Sequence, residues 1–78
     1  MATFVLVHGS FHGGWCWQRV ARLLRQAGHE VYTPTLTGLS ERHHLATPQT
    51  GLEVHIQDII EVLQYEDLHN VILVGHSY

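Results

Sequence analysis

Two unbroken apolar runs bracket the chain: Phe4-Val5-Leu6-Val7 near its start and Val71-Ile72-Leu73-Val74 near its end. Runs this short, rich in β-branched residues and ended by His-Gly or Gly, predict strands buried on both faces of a parallel sheet. Between them the period changes. From Trp15 to Ala27 the apolar residues Val20, Leu23, Leu24 and Ala27 recur at i, i+3, i+4 and i+7, with Arg19, Arg22, Arg25 and Gln26 on the other face. This predicts an amphipathic helix stopped by Gly28. The same spacing of Ile56, Ile59, Ile60 and Leu63, with Glu53, Gln57, Asp58, Glu61 and Gln64 toward water, predicts a second helix from Leu52 to Tyr65. Thr50 is its expected N-cap, with Glu53 completing a capping box. Glu30 to Thr33 reads as a short strand closed by Pro34. Thr35 to Gly51 shows no period and reads as a loop of the length at which loops carry function.

Strand, helix, strand, helix, strand makes two crossover units of a parallel α/β sheet. Right-handed crossovers leave two arrangements, with the helices on one face or on opposite faces. The chemistry at the chain's end favours the second, in which the first strand lies between the other two. A topological switch point then opens between the carboxyl ends of the first and last strands, and ligands bind at such points. That arrangement sets the loop Gly9-Ser10-Phe11-His12-Gly13-Gly14 beside Gly75-His76-Ser77-Tyr78. No internal repeat or linker interrupts the pattern.

Gly-x-Ser directly after a buried strand is the first half of a nucleophile elbow, the tight turn that holds a serine hydroxyl above a sheet. Ser77 is therefore the candidate catalytic nucleophile. The tripeptide alone is weak evidence, and its weight comes from the strand before it and the glycine-rich loop beside it. Acyl transfer by a serine also requires donors aimed at the developing oxyanion, and rigidly placed backbone N–H groups serve best. The N–H of Tyr78 and that of Ser10 are the candidates. Phe11, Trp15 and Cys16 are candidate substrate-lining residues, although Trp15 at a helix start and Cys16 as a packed thiol also fit a structural role. His8 and His12 are expected to be held by loop packing. His76 adjoins Ser77, and neighbouring side chains at a strand end diverge, so it is not expected to activate the serine.

Composition narrows the reading without redirecting it. The 78 residues are one domain at most, 45% hydrophobic and 14% charged, with a net charge of −3. Neither disorder nor a nucleic-acid footprint is indicated. Cys16 is the only cysteine, so no internal disulfide forms. Met1 to Val7 is too short for a membrane span and lacks the features of a signal peptide, so a soluble, cytoplasmic protein without membrane partners is expected. The eight histidines are scattered. Only His8 and His12 have i, i+4 spacing, and the glycines around them argue against a helix, so neither a metal nor a cofactor is expected. The Gly9 to Gly14 loop fits neither the dinucleotide nor the phosphate-loop glycine spacing.

With these residues placed, the chain resembles the N-terminal part of an α/β-hydrolase, in the branch that holds plant methyl esterases, hydroxynitrile lyases and related bacterial esterases. The resemblance covers residues 1–78. It is carried by Phe4-Val5-Leu6-Val7-His8-Gly9, His12-Gly13-Gly14-Trp15, Gly38-Leu39-Ser40-Glu41-Arg42 with Leu45, His55-Ile56-Gln57-Asp58, and Val71 to Tyr78. It is most similar to the bacterial esterases, which include hydrolases of aromatic esters and of carbamates such as carbendazim. The resemblance implies Ser77 as nucleophile, oxyanion-hole amides at Ser10 and Tyr78, and a small apolar or aromatic ester or carbamate as substrate. Hydroxynitrile lyases typically carry threonine where this chain has Gly9, which favours the esterase over the lyase. A non-catalytic small-molecule binder on the same fold is the other alternative. Many α/β-hydrolases have aspartate where this chain has Thr35, which leaves open how the loop after the second strand is braced. In this fold the triad runs serine, acid, histidine. The acid and base are therefore expected in a remainder of the domain beyond Tyr78. None of the histidines present, nor Asp58, Glu61, Glu66 or Asp67, is expected to complete a triad. By itself the chain is expected to be inactive and poorly folded, with an apolar edge on its last strand.

Overall fold

The computed structural model describes residues 1–78. Three strands, β1 (Thr3–Val7), β2 (Glu30–Tyr32) and β3 (Val71–Gly75), form one parallel sheet in the order β2-β1-β3. The first strand is thus central, as its position beside the switch point requires. Its register aligns Thr3 with Glu30 on one side and Val7 with Gly75 on the other. The two helices, α1 (Gln18–Gln26) and α2 (Leu52–Tyr65), lie on opposite faces, α1 on the side of Phe4 and Leu6 and α2 on the side of Val7. On the α1 face Leu6, Val31 and Ala21 form a buried cluster joined by Phe4, Trp17, Leu24 and Val74. On the α2 face Val7 and Leu73 look across an apolar cleft of about 490 Å³ toward Ile56, Ile59 and Leu63. No helix is long and apolar enough to cross a membrane.

Several local expectations are corrected. The helix expected from Trp15 begins as a 3-10 turn at Gly14–Trp17 and becomes α-helical only at Gln18. Its inward face is the buried Ala21 with the half-buried Trp17 and, as expected, Leu24; Val20 and Leu23 are 43% and 66% exposed. The small Ala21 is the helix residue buried against Leu6 and Val31, where a larger side chain would need more room. Gly28 does end the segment: at φ +89° it occupies the left-handed region, and the His29 N–H reaches back to the Leu24 carbonyl.

The capping box on α2 does not form. Gly51 is the N-cap, with no side-chain bond, and the Thr50 hydroxyl accepts the Thr47 N–H instead. Local side-chain bonding within a turn has outcompeted the cap. The Thr35 to Gly51 segment is not wholly irregular, because Ser40–Leu45 winds into a 3-10 stretch interrupted at Arg42. As expected for the last strand, β3 presents an apolar edge, and it is not buried on both faces, with Ile72 45% and Leu73 57% exposed. Its continuous apolar run specifies a strand covered on both faces and flanked on both sides, and only β1 pairs with it here.

Candidate active site

Parallel pairing of β1 with β3 decides where the two functional loops meet. The ladder continues one residue past β3, where the His76 N–H donates to the Val7 carbonyl at 3.1 Å. The chain leaving β1 is thereby held against the chain leaving β3. Gly9, Ser10, Phe11, Ser77 and Tyr78 line a single hollow of about 230 Å³, with His12 and His76 at its side. Phe11 stands almost fully exposed at its rim. Trp15 and Cys16 do not line this hollow. Trp15 donates its indole N–H to the Ser40 hydroxyl at 2.6 Å, and Cys16 lies in an adjoining depression with Trp17 and Val20. Desolvation pushes the Cys16 thiol above its ordinary value, opposed by a hydrogen bond to its backbone. A thiol so shifted is less available as thiolate at neutral pH.

Ser77 has φ +46°. The left-handed region costs an L-residue about 1–2 kcal/mol. Three other non-glycine residues share it, Ser40, Asp67 and Asn70. Asp67 and Asn70 are of the types whose short polar side chains tolerate it, and both lie in the turn between α2 and β3. Ser77 sits directly after a strand, where the sharp reversal turns its side chain out of the strand's line. The Tyr78 N–H that follows donates to no protein acceptor. The Ser10 N–H makes a long contact of 3.4 Å with the Ser77 carbonyl, and the Ser10 hydroxyl donates to the Tyr78 carbonyl. The two residues carrying the candidate oxyanion donors are therefore tied to each other across the hollow.

Close approach explains Gly9. A Cβ there would meet the carbonyl oxygens of His76 and Ser77, each at 2.9 Å, and both are main-chain atoms. His8, just before it, is completely buried. Its Nε2 accepts the Leu36 N–H at 3.0 Å, which leaves Nδ1 to donate to the Gly9 carbonyl at 2.7 Å. His8 thus fastens the start of the glycine-rich loop to the chain leaving β2, and both of its nitrogens are committed to the main chain.

The bracing of the loop after β2 is also resolved. Thr35, at the position where aspartate is common, accepts the Gly14 N–H at 2.8 Å through its hydroxyl and donates that hydroxyl to Glu41 Oε2 at 2.6 Å. Arg42 donates to the Thr35 carbonyl at 2.8 Å. The negative charge is supplied from Glu41, six residues on, with threonine as the intermediary. The Thr35 hydroxyl is the largest influence holding the Glu41 carboxyl below the usual glutamate range, helped by a backbone hydrogen bond.

A second set of contacts was not foreseen. Asp58, expected to face water, accepts the Thr37 N–H at 2.6 Å and the Thr37 hydroxyl at 2.7 Å. His55, one turn earlier on α2, contacts the Thr37 carbonyl at 2.9 Å through Nε2 and the Tyr78 hydroxyl at 2.7 Å through Nδ1. The available signal was a polar residue on an apolar stripe: His55 falls at helical spacing between Leu52 and Ile59 and is 8% exposed.

A central first strand, helices on opposite faces and a glycine-rich loop facing a strand-end serine define one class of α/β fold. The alpha/beta hydrolase family model matches residues 4–78, and the chain belongs to that family. Among its relatives, the carbendazim hydrolyzing esterase of a Nocardioides species is 55% identical over 78 residues, covering 100% of this chain and 32% of that protein. Salicylic acid-binding protein 2 of Nicotiana tabacum is 40% identical over 78 residues, covering 95% of this chain and 29% of that protein. An extracellular α/β-hydrolase from a Paenibacillus species superposes with a TM-score of 0.81 at 34% identity, over 99% of this chain and 31% of the other. The chain spans about a third of the length of the curated relatives it matches.

Proposed function

We propose that these residues are the nucleophile and oxyanion hole of a serine esterase that cleaves a small apolar or aromatic ester or carbamate through an acyl-enzyme. The observation that carries this reading is the left-handed Ser77 at the end of β3, set against the glycine-rich loop by the strand register. The relative named above for carbendazim hydrolysis supports the substrate class. The Ser77 hydroxyl attacks the acyl carbonyl. A bond forms between Oγ and the carbonyl carbon while the hydroxyl proton passes to a base, and the charge that develops on the carbonyl oxygen is received by the N–H groups of Ser10 and Tyr78. Collapse expels the alcohol, or the amine of a carbamate, protonated by the same base, and water then releases the acid. Losing one such donor typically costs about 3 kcal/mol of transition-state stabilisation. Phe11 at the rim offers an aromatic wall to the substrate, with Cys16 in the adjoining depression.

The base and its carboxylate partner belong, on this reading, to the remainder of a single hydrolase domain beyond Tyr78, because the fold orders its triad as serine, acid, histidine. His8 and His55 are engaged elsewhere. Both nitrogens of His8 are taken by main-chain groups, and those of His55 by Thr37 and Tyr78. The test is covalent labelling of the full-length protein with a fluorophosphonate, followed by mapping of the adduct. Attachment to Ser77, with loss of labelling and at least a thousandfold loss of ester hydrolysis in Ser77→Ala, is the expected result on the scale of other serine hydrolases. Attachment elsewhere, or an active Ser77→Ala protein, overturns the proposal.

A further inference from the structure

We infer that His55 is a positioning residue for the oxyanion hole, acting through the hydroxyl of Tyr78; this rests on the esterase reading above. Its partners dictate its protonation pattern. A carbonyl only accepts, so the Thr37 carbonyl at 2.9 Å requires a proton on His55 Nε2. Nδ1 of the neutral ring is then a bare acceptor, and the Tyr78 hydroxyl at 2.7 Å donates to it. The other tautomer would set an unprotonated Nε2 against the Thr37 carbonyl, acceptor facing acceptor.

The anchor is rigid for a further reason. Asp58, one turn along α2, grips both the N–H and the hydroxyl of Thr37. The imidazole is therefore held between its own helix and a loop residue that the same helix clamps. It is 8% exposed, and its ring meets the Tyr78 ring edge-on, with centroids 5.6 Å apart. The Tyr78 ring is thereby anchored to α2 through its hydroxyl, and the main-chain N–H of the same residue is held with it. Misplacing a catalytic donor by about 1 Å costs on the order of a hundredfold in rate, so a smaller displacement on losing one anchor gives roughly tenfold.

The test compares four variants of the full-length protein in ester hydrolysis. His55→Gln keeps a donor near Nε2 for Thr37 but loses the acceptor for Tyr78, whereas His55→Asn keeps an acceptor near Nδ1. Tyr78→Phe removes only the hydroxyl. The expected result is a fall in kcat of roughly tenfold in His55→Gln and in Tyr78→Phe with KM within about twofold, no further fall when the two are combined, and recovery of most of the loss in His55→Asn. Unchanged kcat in Tyr78→Phe while Ser77 still takes the fluorophosphonate overturns this inference alone, as do losses that multiply in the double variant. Failure of the unmodified protein to label at Ser77 overturns the esterase reading and this inference together. If His55→Gln does not fold, Tyr78→Phe decides.

Discussion

Adding one methyl group at Gly9 is the sharpest test of how closely the two loops must approach. The Cβ of Gly9→Ala would lie 2.9 Å from the carbonyl oxygens of both His76 and Ser77, where ordinary contact begins near 3.4 Å. The deficit is about 0.5 Å against each oxygen, and neither can rotate away as a flexible side chain would. One of the two loops must therefore retreat. The His8 ring resists movement of the Gly9 peptide, and the strand register resists movement of His76, whose N–H is bonded to Val7. Overpacking of this kind costs about 1–3 kcal/mol of stability. The retreat also separates the Ser10 N–H from Ser77, and under the proposed esterase function a half-ångström displacement of that donor corresponds to about a tenfold loss of kcat. The assay is steady-state hydrolysis of an aryl ester by the full-length protein, together with its thermal unfolding. Gly51→Ala serves as control, since a Cβ there meets nothing within 4 Å and lies away from the hollow: its kcat should be unchanged, with at most about 1 kcal/mol lost at the α2 N-cap. Wild-type kcat and unfolding temperature in Gly9→Ala would refute the close approach.

Two further outcomes follow from the bracing of the β2 exit loop. Thr35→Val preserves shape but leaves the Gly14 N–H without its acceptor, and thermal or urea unfolding should show a loss of about 1–3 kcal/mol. Glu41 gives a pH signature. Its carboxyl is held below the usual glutamate range mainly by the Thr35 hydroxyl, so the folded state favours the ionised form. The stability it contributes is present above the unfolded-state value and is lost as pH falls through the lower folded value. Glu41→Gln should therefore be less stable than the parent near neutral pH. The difference should shrink as pH is lowered through about 4.5 and below. A gap in unfolding temperature that stays constant with pH would contradict this.

The sequence disclosed topology better than it disclosed packing. Apolar run length and helical period located β1, β3 and both helices, Pro34 closed the short β2, and the reading of Ser77 was enough to choose the central first strand over the alternative. What it misjudged were faces. Val20 and Leu23 have the right spacing for a core stripe, yet Ala21 is the residue buried against Leu6 and Val31, where a larger side chain would need more room. The Thr50–Glu53 signature was present but unused, since Thr47 competed for the same hydroxyl. The loops meeting at the hollow were legible from their glycines. Their polar bracing was not, because Thr35 with Glu41 and His55 with Tyr78 are pairs whose partners depend on tertiary placement.

Placement of the site and stability of the fold rest on different forces here. Five hydrophobic residues are buried, Val5, Leu6, Ala21, Val31 and Leu36, and burial of this kind is non-directional. It holds helices against a sheet but cannot by itself fix a peptide N–H to within a fraction of an ångström. Directional contacts do that: His8 on the Gly9 carbonyl, Ser10 on the Tyr78 carbonyl, His55 on the Tyr78 hydroxyl, and Thr35 on the Gly14 N–H. Two of them come from other segments, Thr35 from the β2 exit loop and His55 from α2, while His8 ties the exit of β1 to the Leu36 N–H. Substitutions at these polar positions should therefore separate from core substitutions in kind. Those at Ser10, His55 and Tyr78 act on turnover at modest cost to folding, while truncation of Leu6 in the full-length protein acts on stability, by about 2–5 kcal/mol, with the surviving folded molecules still turning over. An outcome in which Leu6→Ala lowers kcat per folded molecule as much as Tyr78→Phe would show that packing, and not the polar contacts, sets the geometry of the hollow.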